Sequence, residues 1–210
     1  RGMPLMVNEA LWSAGMAGMM QCYSMRGLSV IAGLNISSTI SNLFNVVSLA
    51  MGNAVAIIVG QLLGAGKMEE ARDTDTKLLA FAVGSCVLIG AVMMAFAPLF
   101  PRLYNTTPEV RGMAERFILI VAALMPVQAF ANACYFTMRS GGKTFVTFLF
   151  DSVFLWVVSI PLAFMLSRFT SLPIVPLYFL CQAVDVIKCV VGFVMVKRGV
   201  WIHNFVETQK

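Results

Sequence analysis

Four ionisable side chains stand inside long apolar stretches of this 210-residue sequence: Glu9, Asp151, Asp185 and Lys188. Such groups can bind and release a proton or a cation. Asp185 and Lys188 are three residues apart, so they share a helix face and can form an ion pair or act directly in transport. Glu9 has no basic residue at helical spacing. An unpaired carboxylate in an apolar segment must face water, bind a cation, or hold a proton, in which case it can hydrogen-bond a neighbouring helix. Glu9 and its neighbour Asn8 are therefore the main candidates for ion coupling.

Uncharged polar residues form two stripes at helical spacing. The first stripe is Asn35, Ser38, Asn42, Asn45 and Gly52, with Ser37, Ser41 and Ser48 beside it. The second is Gln128, Asn132, Tyr135 and Arg139. Small polar stripes can hold helices together in lipid, but the length of the first stripe and its Asn content favour the lining of a water-filled cavity. Trp12, one turn from Glu9, could offer a π face to an organic cation there.

The elements that must position these residues are apolar helices. The sequence is 59% hydrophobic and 12% charged, with a mean hydropathy of +0.84, whereas soluble domains carry about 25% charged residues. A membrane-spanning helix needs about 20 mostly apolar residues. The pattern predicts an all-α polytopic membrane protein, a single bundle of six spans at residues 4–24, 35–63, 78–100, 114–138, 145–167 and 173–196. The charged segment 64–77 is predicted to be a loop.

The distribution of basic residues predicts the orientation. Apart from Lys188, nine Lys and Arg residues lie on the face that holds both ends of the chain, and five lie on the opposite face. The positive-inside rule then places both ends of this segment in the cytoplasm, with the bundle in the plasma or inner membrane. After the last span, Trp201 and Phe205 are predicted to lie at the lipid headgroups.

Several function classes are not predicted. The five cysteines are scattered through apolar segments and lack the spacing of a metal site. The net charge of +5 arises from loops where membrane topology accounts for it, so it predicts no nucleic-acid partner. No phosphate-binding loop or catalytic triad is recognisable. The sequence therefore predicts no enzyme and no cofactor.

Five stretches in order carry a family resemblance: PLMVNEALWSAGM, GLNISSTISNLFNVVSLAMGNAVAIIVGQLLGAGKMEEAR, RSGGKT, WVVSIPLAF, and VDVIK followed by KRGVWIHNF. They resemble the C-terminal half of multidrug and toxic compound extrusion (MATE) transporters, over essentially the whole chain. The resemblance implies the second of two six-helix bundles related by a pseudo-twofold axis, with the N-terminal bundle as its partner. It also implies efflux of organic cations or drugs in exchange for H⁺ or Na⁺.

The resemblance also assigns roles to individual residues. Glu9 matches the acidic residue of the family's seventh helix, which is implicated in cation coupling. The other matches are the helix-end signature, with Gly60, Gln61, Gly64 and Gly66, and the glycine turn, with Arg139, Gly141 and Gly142. Lys143 stands where the family commonly has an Asp, and Gln128 and Asn132 stand where some branches have an acidic residue. These departures favour H⁺ coupling, or coupling residues in the other half, although Na⁺ at Glu9 stays open.

Two other function classes remain alternatives. A flippase of related fold that moves a lipid-linked glycan would need more cations to meet phosphates, and only Arg139 and Lys188 are candidates. A non-transporting membrane scaffold would need neither an unpaired carboxylate nor two polar stripes. The leading hypothesis is a secondary-active antiporter whose substrates are small organic cations.

Overall fold

The fold was determined as a computed structural model that describes residues 3–142, 144–199 and 201. This part of the chain is helical and contains no strand. The α-helices are α1 Met3–Ser24, α2 Leu28–Gly64, α3 Met68–Phe96, α4 Pro108–Ser140, α5 Thr144–Phe148, α6 Ile160–Phe169, α7 Ile174–Ala183 and α8 Asp185–Lys197. A 3₁₀ turn, Phe100–Leu103, precedes α4. Two π-helical segments, Leu149–Val153 and Leu155–Ser159, join α5 to α6.

Among the described residues, five helices are long and apolar enough to cross a membrane: α2, α3, α4, Phe145–Phe169 and Ile174–Lys197. The range Phe145–Phe169 runs through both π segments into α6 and is called the fifth span. The range Ile174–Lys197 joins α7 and α8 and is called the sixth span. α1 is long enough at 22 residues, but Asn8, Glu9 and its small residues make it less apolar. Its assignment to a membrane span stays a prediction.

Helices α2, α3 and α4 begin several residues earlier than predicted. α2 begins at Leu28 rather than residue 35, and α4 begins at Pro108 rather than residue 114. Thr107 caps α4 by accepting a hydrogen bond from the Val110 amide at 3.4 Å, and proline suits the first helical position. Hydropathy alone reports the apolar part of a helix and misses the polar first turn of α4. The first turns of α2 are apolar and follow directly after Gly27.

The prediction of a loop over residues 64–77 is wrong for most of that segment. α3 begins at Met68, with Glu69 and Glu70 in its first turn, where carboxylates interact favourably with the helix dipole. Lys77 pairs with Asp73 at 2.6 Å one turn away, which adds support to an exposed helix. The charges therefore stabilise an extension of α3 instead of breaking the chain.

A Schellman motif ends α2 and makes the sharp turn into α3. Gly66 has a φ of +75°. Its amide bonds the Leu63 carbonyl at 3.1 Å, and the Lys67 amide bonds the Leu62 carbonyl at 3.0 Å. Only glycine adopts this conformation without strain, so the helix end must come at this place in the sequence.

α4 is the central helix and packs against α2, α3, α7 and α8. Its side chains Phe117, Ile118 and Met125 are almost fully buried, with Cys86 and Met93 of α3. α3 approaches α4 closely at Gly90, where a Cβ atom would lie 2.7 Å from the Ala122 carbonyl oxygen. Small residues allow this kind of contact between membrane helices.

α1 is bound to the fifth span by side-chain hydrogen bonds to its backbone. The Ser152 hydroxyl donates to the Asn8 carbonyl at 3.1 Å, the Trp156 indole donates to the Leu11 carbonyl at 3.0 Å, and the Ser167 hydroxyl donates to the Cys22 carbonyl at 2.7 Å. At the end of α1, Arg26 donates to the carbonyl of Leu166 at 3.1 Å. These bonds hold α1 against one face of the fifth span along its length.

The interfacial position predicted for Trp201 is wrong. Trp201 is fully buried in a cluster with Val55, Val59, Leu63 and Phe150, and its indole donates to the Val196 carbonyl at 3.2 Å. Gly141 packs directly on the Trp201 carbonyl and leaves no space for a side chain. Trp201 therefore packs against the ends of α2 and α4. Phe205 and Lys143 lie outside the described residues.

A candidate ligand cavity among the helices

A cavity of about 370 Å³ lies among α1, α2, α4, the fifth span and the sixth span, and is called the central cavity. Both polar stripes contribute to its wall. The lining residues of α2 and α4 with amide or hydroxyl side chains are Ser38, Ser41, Asn42, Asn45, Gln128 and Asn132. The two helices thus face one space.

Apolar and aromatic side chains form the remainder of the wall. α1 contributes Trp12 and three methionines, Met16, Met19 and Met20, and α7 contributes Tyr178. Unbranched methionine side chains adapt to ligands of varied shape. A wall of amides, aromatic rings and methionines suits an aromatic, partly polar organic molecule.

Some members of the stripes do not reach the cavity. Ser48 is 5% exposed and lies beside the Cys86 thiol of α3, and Gly52 packs tightly against Phe136 of α4. This end of α2 is therefore in helix contact, which is the role of small polar residues as packing groups. Tyr135 is not among the lining residues and forms part of a separate polar contact.

Asn8 and Glu9 occupy different environments. Asn8 is 3% exposed. Its Oδ1 accepts a hydrogen bond from the Ser152 hydroxyl at 2.6 Å, and its Nδ2 donates to the Tyr135 hydroxyl oxygen at 3.4 Å. Asn8 thus ties α1 to α4 and the fifth span. Glu9 is exposed on α1 and lies close enough to Tyr135 for an electrostatic interaction.

The three other intramembrane charges form one cluster, called the charge triad. Lys188 Nζ lies 3.7 Å from Asp151 Oδ1 and 3.9 Å from Asp185 Oδ1. The ammonium also lies 5.2 Å from the centre of the Phe154 ring. Asp185 and Lys188 line the central cavity. The spacing of Asp185 and Lys188 predicts their pairing, but the contact with Asp151 depends on how two spans pack.

The residues of the two helix-end motifs lie side by side. Gly60, Gln61, Gly64 and Gly66 form the end of α2, and Gly60 faces Ser140 at the end of α4. Gly141 caps α4, and Gly142 follows with a φ of +72°. Arg139 lies in the last turn of α4 and is half-buried. These residues shape the helix ends near Trp201, away from the central cavity.

One buried carboxyl group, on α3, was not predicted from the sequence. Asp75 is 1% exposed, and the Thr137 hydroxyl of α4 donates to its Oδ1 at 2.7 Å. A signal was present, because Ala71 and Leu79 lie one turn to either side of Asp75 and are also buried. The surrounding charges concealed this apolar face.

Comparison with known proteins decides the family. The family model described as MatE matches residues 4–165. The chain belongs to the MATE family. A MATE protein with a crystal structure in complex with MaL6 superposes with a TM-score of 0.85 at 16% identity, over 95% of this chain and 45% of that one. The likeness establishes that the fold is that of a MATE transporter, and the five apolar helices make this MATE chain a multi-pass membrane protein.

Curated MATE relatives are named for drug resistance. A probable multidrug resistance protein NorM of Oceanobacillus iheyensis is 22% identical over 69% of this chain and 32% of its own length. A multidrug resistance protein MdtK of Yersinia pseudotuberculosis is 28% identical over 67% of this chain and 31% of its own length. This MATE chain therefore spans about a third of each of these relatives.

Proposed function

We propose that this chain is the C-terminal six-helix bundle of a secondary-active antiporter that exports organic cations or drugs in exchange for H⁺ or Na⁺. The central cavity is the observation that carries the proposal. It is bordered by amide and hydroxyl groups of α2 and α4 in segments that are otherwise apolar enough to cross a membrane. Polar side chains at membrane depth are expensive unless they meet water, protein partners or a ligand.

An N-terminal bundle is proposed to complete the cavity. Ser38 and Asn42 line the central cavity, yet both are exposed in this chain. The cavity therefore has an open side that a second bundle would cover. The coverage of 45% of the solved MATE chain supports such a second half. We place both ends of this segment in the cytoplasm, from the distribution of its basic residues.

Glu9 is proposed to couple ion movement to transport. Its carboxylate is exposed on α1, next to the buried Asn8 contact with Ser152 and Tyr135. In the part of the chain that the structure describes, no basic side chain forms an ion pair with Glu9. A carboxylate with this freedom can exchange a proton or a cation with water. A change of charge there would act on the polar contact that joins α1 to α4 and the fifth span.

The proposal is tested by transport in proteoliposomes with the complete protein that carries this chain. Replacing both Asn42 and Asn45 by Leu should reduce ion-gradient-driven uptake of ethidium by about tenfold or more, because the cavity loses its amides. Glu9→Gln keeps the shape of the side chain and removes its charge, so substrate should still bind while the ion gradient no longer drives uptake. Equal reconstitution of all variants is the control.

The possible outcomes distinguish the proposed transport function from the proposed roles of individual residues. Wild-type protein that neither binds nor moves ethidium under any ion gradient would contradict the proposed function. Normal coupled transport by Glu9→Gln would contradict only the role of Glu9. Normal binding by a poorly inserted Asn42→Leu/Asn45→Leu variant would show that these amides hold helices together instead.

A further inference from the structure

With both of its carboxyl groups ionised, the charge triad carries one more negative charge than positive. Asp151 and Asp185 contribute two carboxylates, and Lys188 contributes one ammonium. All three are mostly buried, with 14% to 26% of each side chain exposed. An uncompensated charge among membrane helices is costly. The triad therefore favours one further positive charge.

Lys188 is held loosely between its two carboxylates. Its Nζ lies 3.7 Å from Asp151 and 3.9 Å from Asp185, whereas charge-assisted hydrogen bonds are about 2.7–2.9 Å long. Neither carboxylate forms a short hydrogen bond with the ammonium group. A small rotation of the flexible lysine side chain would complete a bond to either one.

Two of the three partners of Lys188 belong to the fifth span and lie outside the cavity wall. Asp151 and Phe154 both lie next to the Lys188 ammonium, so the carboxylate and the aromatic ring of this span face the same group. Neither lines the central cavity, whereas Asp185 does. An ammonium that leaves Asp185 would thus keep an opposite charge and a cation–π contact.

Asp185 faces the cavity beside groups that suit an organic cation. Tyr178 and Gln182 of α7 line the same wall, and Trp12 lines it from α1. Aromatic faces attract cations, and a carboxylate neutralises them. A cationic molecule in the cavity would meet Asp185 as the accessible carboxylate of the triad.

We infer that Asp185 binds the cationic group of the transported molecule, and that Lys188 competes with this group as an internal cation. When the cavity is empty, Lys188 is shared between Asp185 and Asp151. When a monovalent aromatic cation binds Asp185, Lys188 moves onto Asp151 and Phe154. This inference rests on the proposed function and adds the site that selects for positive charge.

The test measures equilibrium binding to the complete protein in detergent, with tetraphenylphosphonium as the cation and triphenylphosphine oxide as its uncharged analogue. Asp185→Asn should weaken binding of the cation by about tenfold or more and leave the uncharged analogue within about twofold. Lys188→Met should strengthen binding of the cation by about tenfold, because the internal competitor is gone. Asp73→Asn, the same change in an exposed ion pair outside the cavity, is the matched control and should have no effect.

Asp151 provides the decisive double variant. Asp151→Asn leaves Lys188 with Asp185 as its one carboxylate partner in the triad, so the cation should bind several-fold more weakly. Adding Lys188→Met to Asp151→Asn should restore binding at least to the wild-type level. A purely structural triad predicts the opposite, because losing two members would harm the site more than losing one.

Each result distinguishes competition between Lys188 and the bound cation from a purely structural role of the charge triad. The inference is contradicted if Lys188→Met weakens binding of the cation, if Asp185→Asn leaves it unchanged, or if the double variant binds no better than Asp151→Asn. Binding of the uncharged analogue and elution as a single species show that a variant is folded. If Asp185→Asn fails to fold, Lys188→Met and the double variant still decide. Wild-type protein that binds neither compound would contradict the proposed function itself.

Discussion

At the scale of single residues, the contact between Asp75 and Thr137 shows how a polar pair stabilises the packing of two membrane helices. The Thr137 hydroxyl lies 2.7 Å from Asp75 Oδ1 and 3.0 Å from the Ala133 carbonyl oxygen. Both side chains are almost fully buried. A buried carboxyl that loses its partner keeps the cost of desolvation and gains nothing in return.

Thr137→Val should therefore lower the free energy of unfolding by about 1–3 kcal/mol. Chemical unfolding in detergent measures this quantity. Thr76→Val on the exposed face of α3 is the matched control, because the Thr76 hydroxyl donates only to Arg72 of its own helix. Combining Thr137→Val with Asp75→Leu should recover most of the loss, since both polar partners are then gone. An unchanged stability of Thr137→Val would mean that Asp75 has another partner.

Also at this scale, sequence patterns predicted the residue types of the cavity better than their contacts. The spacing of Asn42, Asn45, Gln128 and Asn132 places them on two helix faces, and the structure brings these faces to one cavity. The partnership of Asp151 with Lys188 was not predictable, because 37 positions separate them and no local pattern links two helices. For Ser48, spacing alone does not distinguish two environments, since its position in the stripe suits either a cavity or a helix contact.

At the scale of elements, the prediction found the apolar helices but not their full lengths. α2 has 37 residues, which at 1.5 Å per residue is about 55 Å long, while the hydrocarbon core is about 30 Å thick. The ends of such a helix extend beyond the hydrocarbon core, where polar side chains can be hydrated. A hydropathy profile does not detect helical residues that lie outside the lipid. It therefore predicts a loop at the charged start of α3.

The π-helical segments of the fifth span were also beyond the reach of sequence periodicity. Each π turn contains an additional residue and rotates the side chains that follow it. Leu149–Val153 contains Asp151 and Ser152, which contact Lys188 and Asn8. A regular α-helical repeat cannot place these two residues correctly, although both contacts are central to the site.

The close approach of α3 and α4 at Gly90 leads to a prediction for this pair of elements. Pro126 of α4 has no amide hydrogen, so it cannot bond the Ala122 carbonyl one turn earlier. Gly90 packs against that carbonyl, and a rigid backbone atom cannot move aside for a side chain. Gly90→Val should lower the unfolding free energy by about 1–3 kcal/mol or more.

Thermal unfolding of the purified protein measures the effect. Gly84→Val on the same helix is the matched control, because a Cβ atom at Gly84 meets nothing within 4 Å. It should change stability by less than about 0.5 kcal/mol. Equal losses for the two variants would show that β-branching in α3, and not the contact with Ala122, sets the cost.

At the scale of the whole molecule, the orientation in the membrane can be tested with two exposed positions. Asn105 precedes α4, and Asp73 lies in the polar start of α3. In a protein whose native cysteines are replaced, an impermeant maleimide added outside cells should label Asn105→Cys and spare Asp73→Cys. Both positions should be labelled after permeabilisation. The reverse pattern would invert the proposed topology.

The bonds between α1 and the fifth span have a consequence for how this sequence can diverge. Their donors are the side chains of Ser152, Trp156 and Ser167, but their acceptors are main-chain carbonyl oxygens of α1. Every residue type supplies a main-chain carbonyl, so these bonds do not depend on the side chains at positions 11 and 22, whereas they require the three donor side chains. These bonds therefore constrain the sequence of the fifth span more than that of α1. The sequence of α1 can diverge while the helix keeps these contacts with the fifth span. Such contacts fit a family in which a TM-score of 0.85 survives at 16% identity.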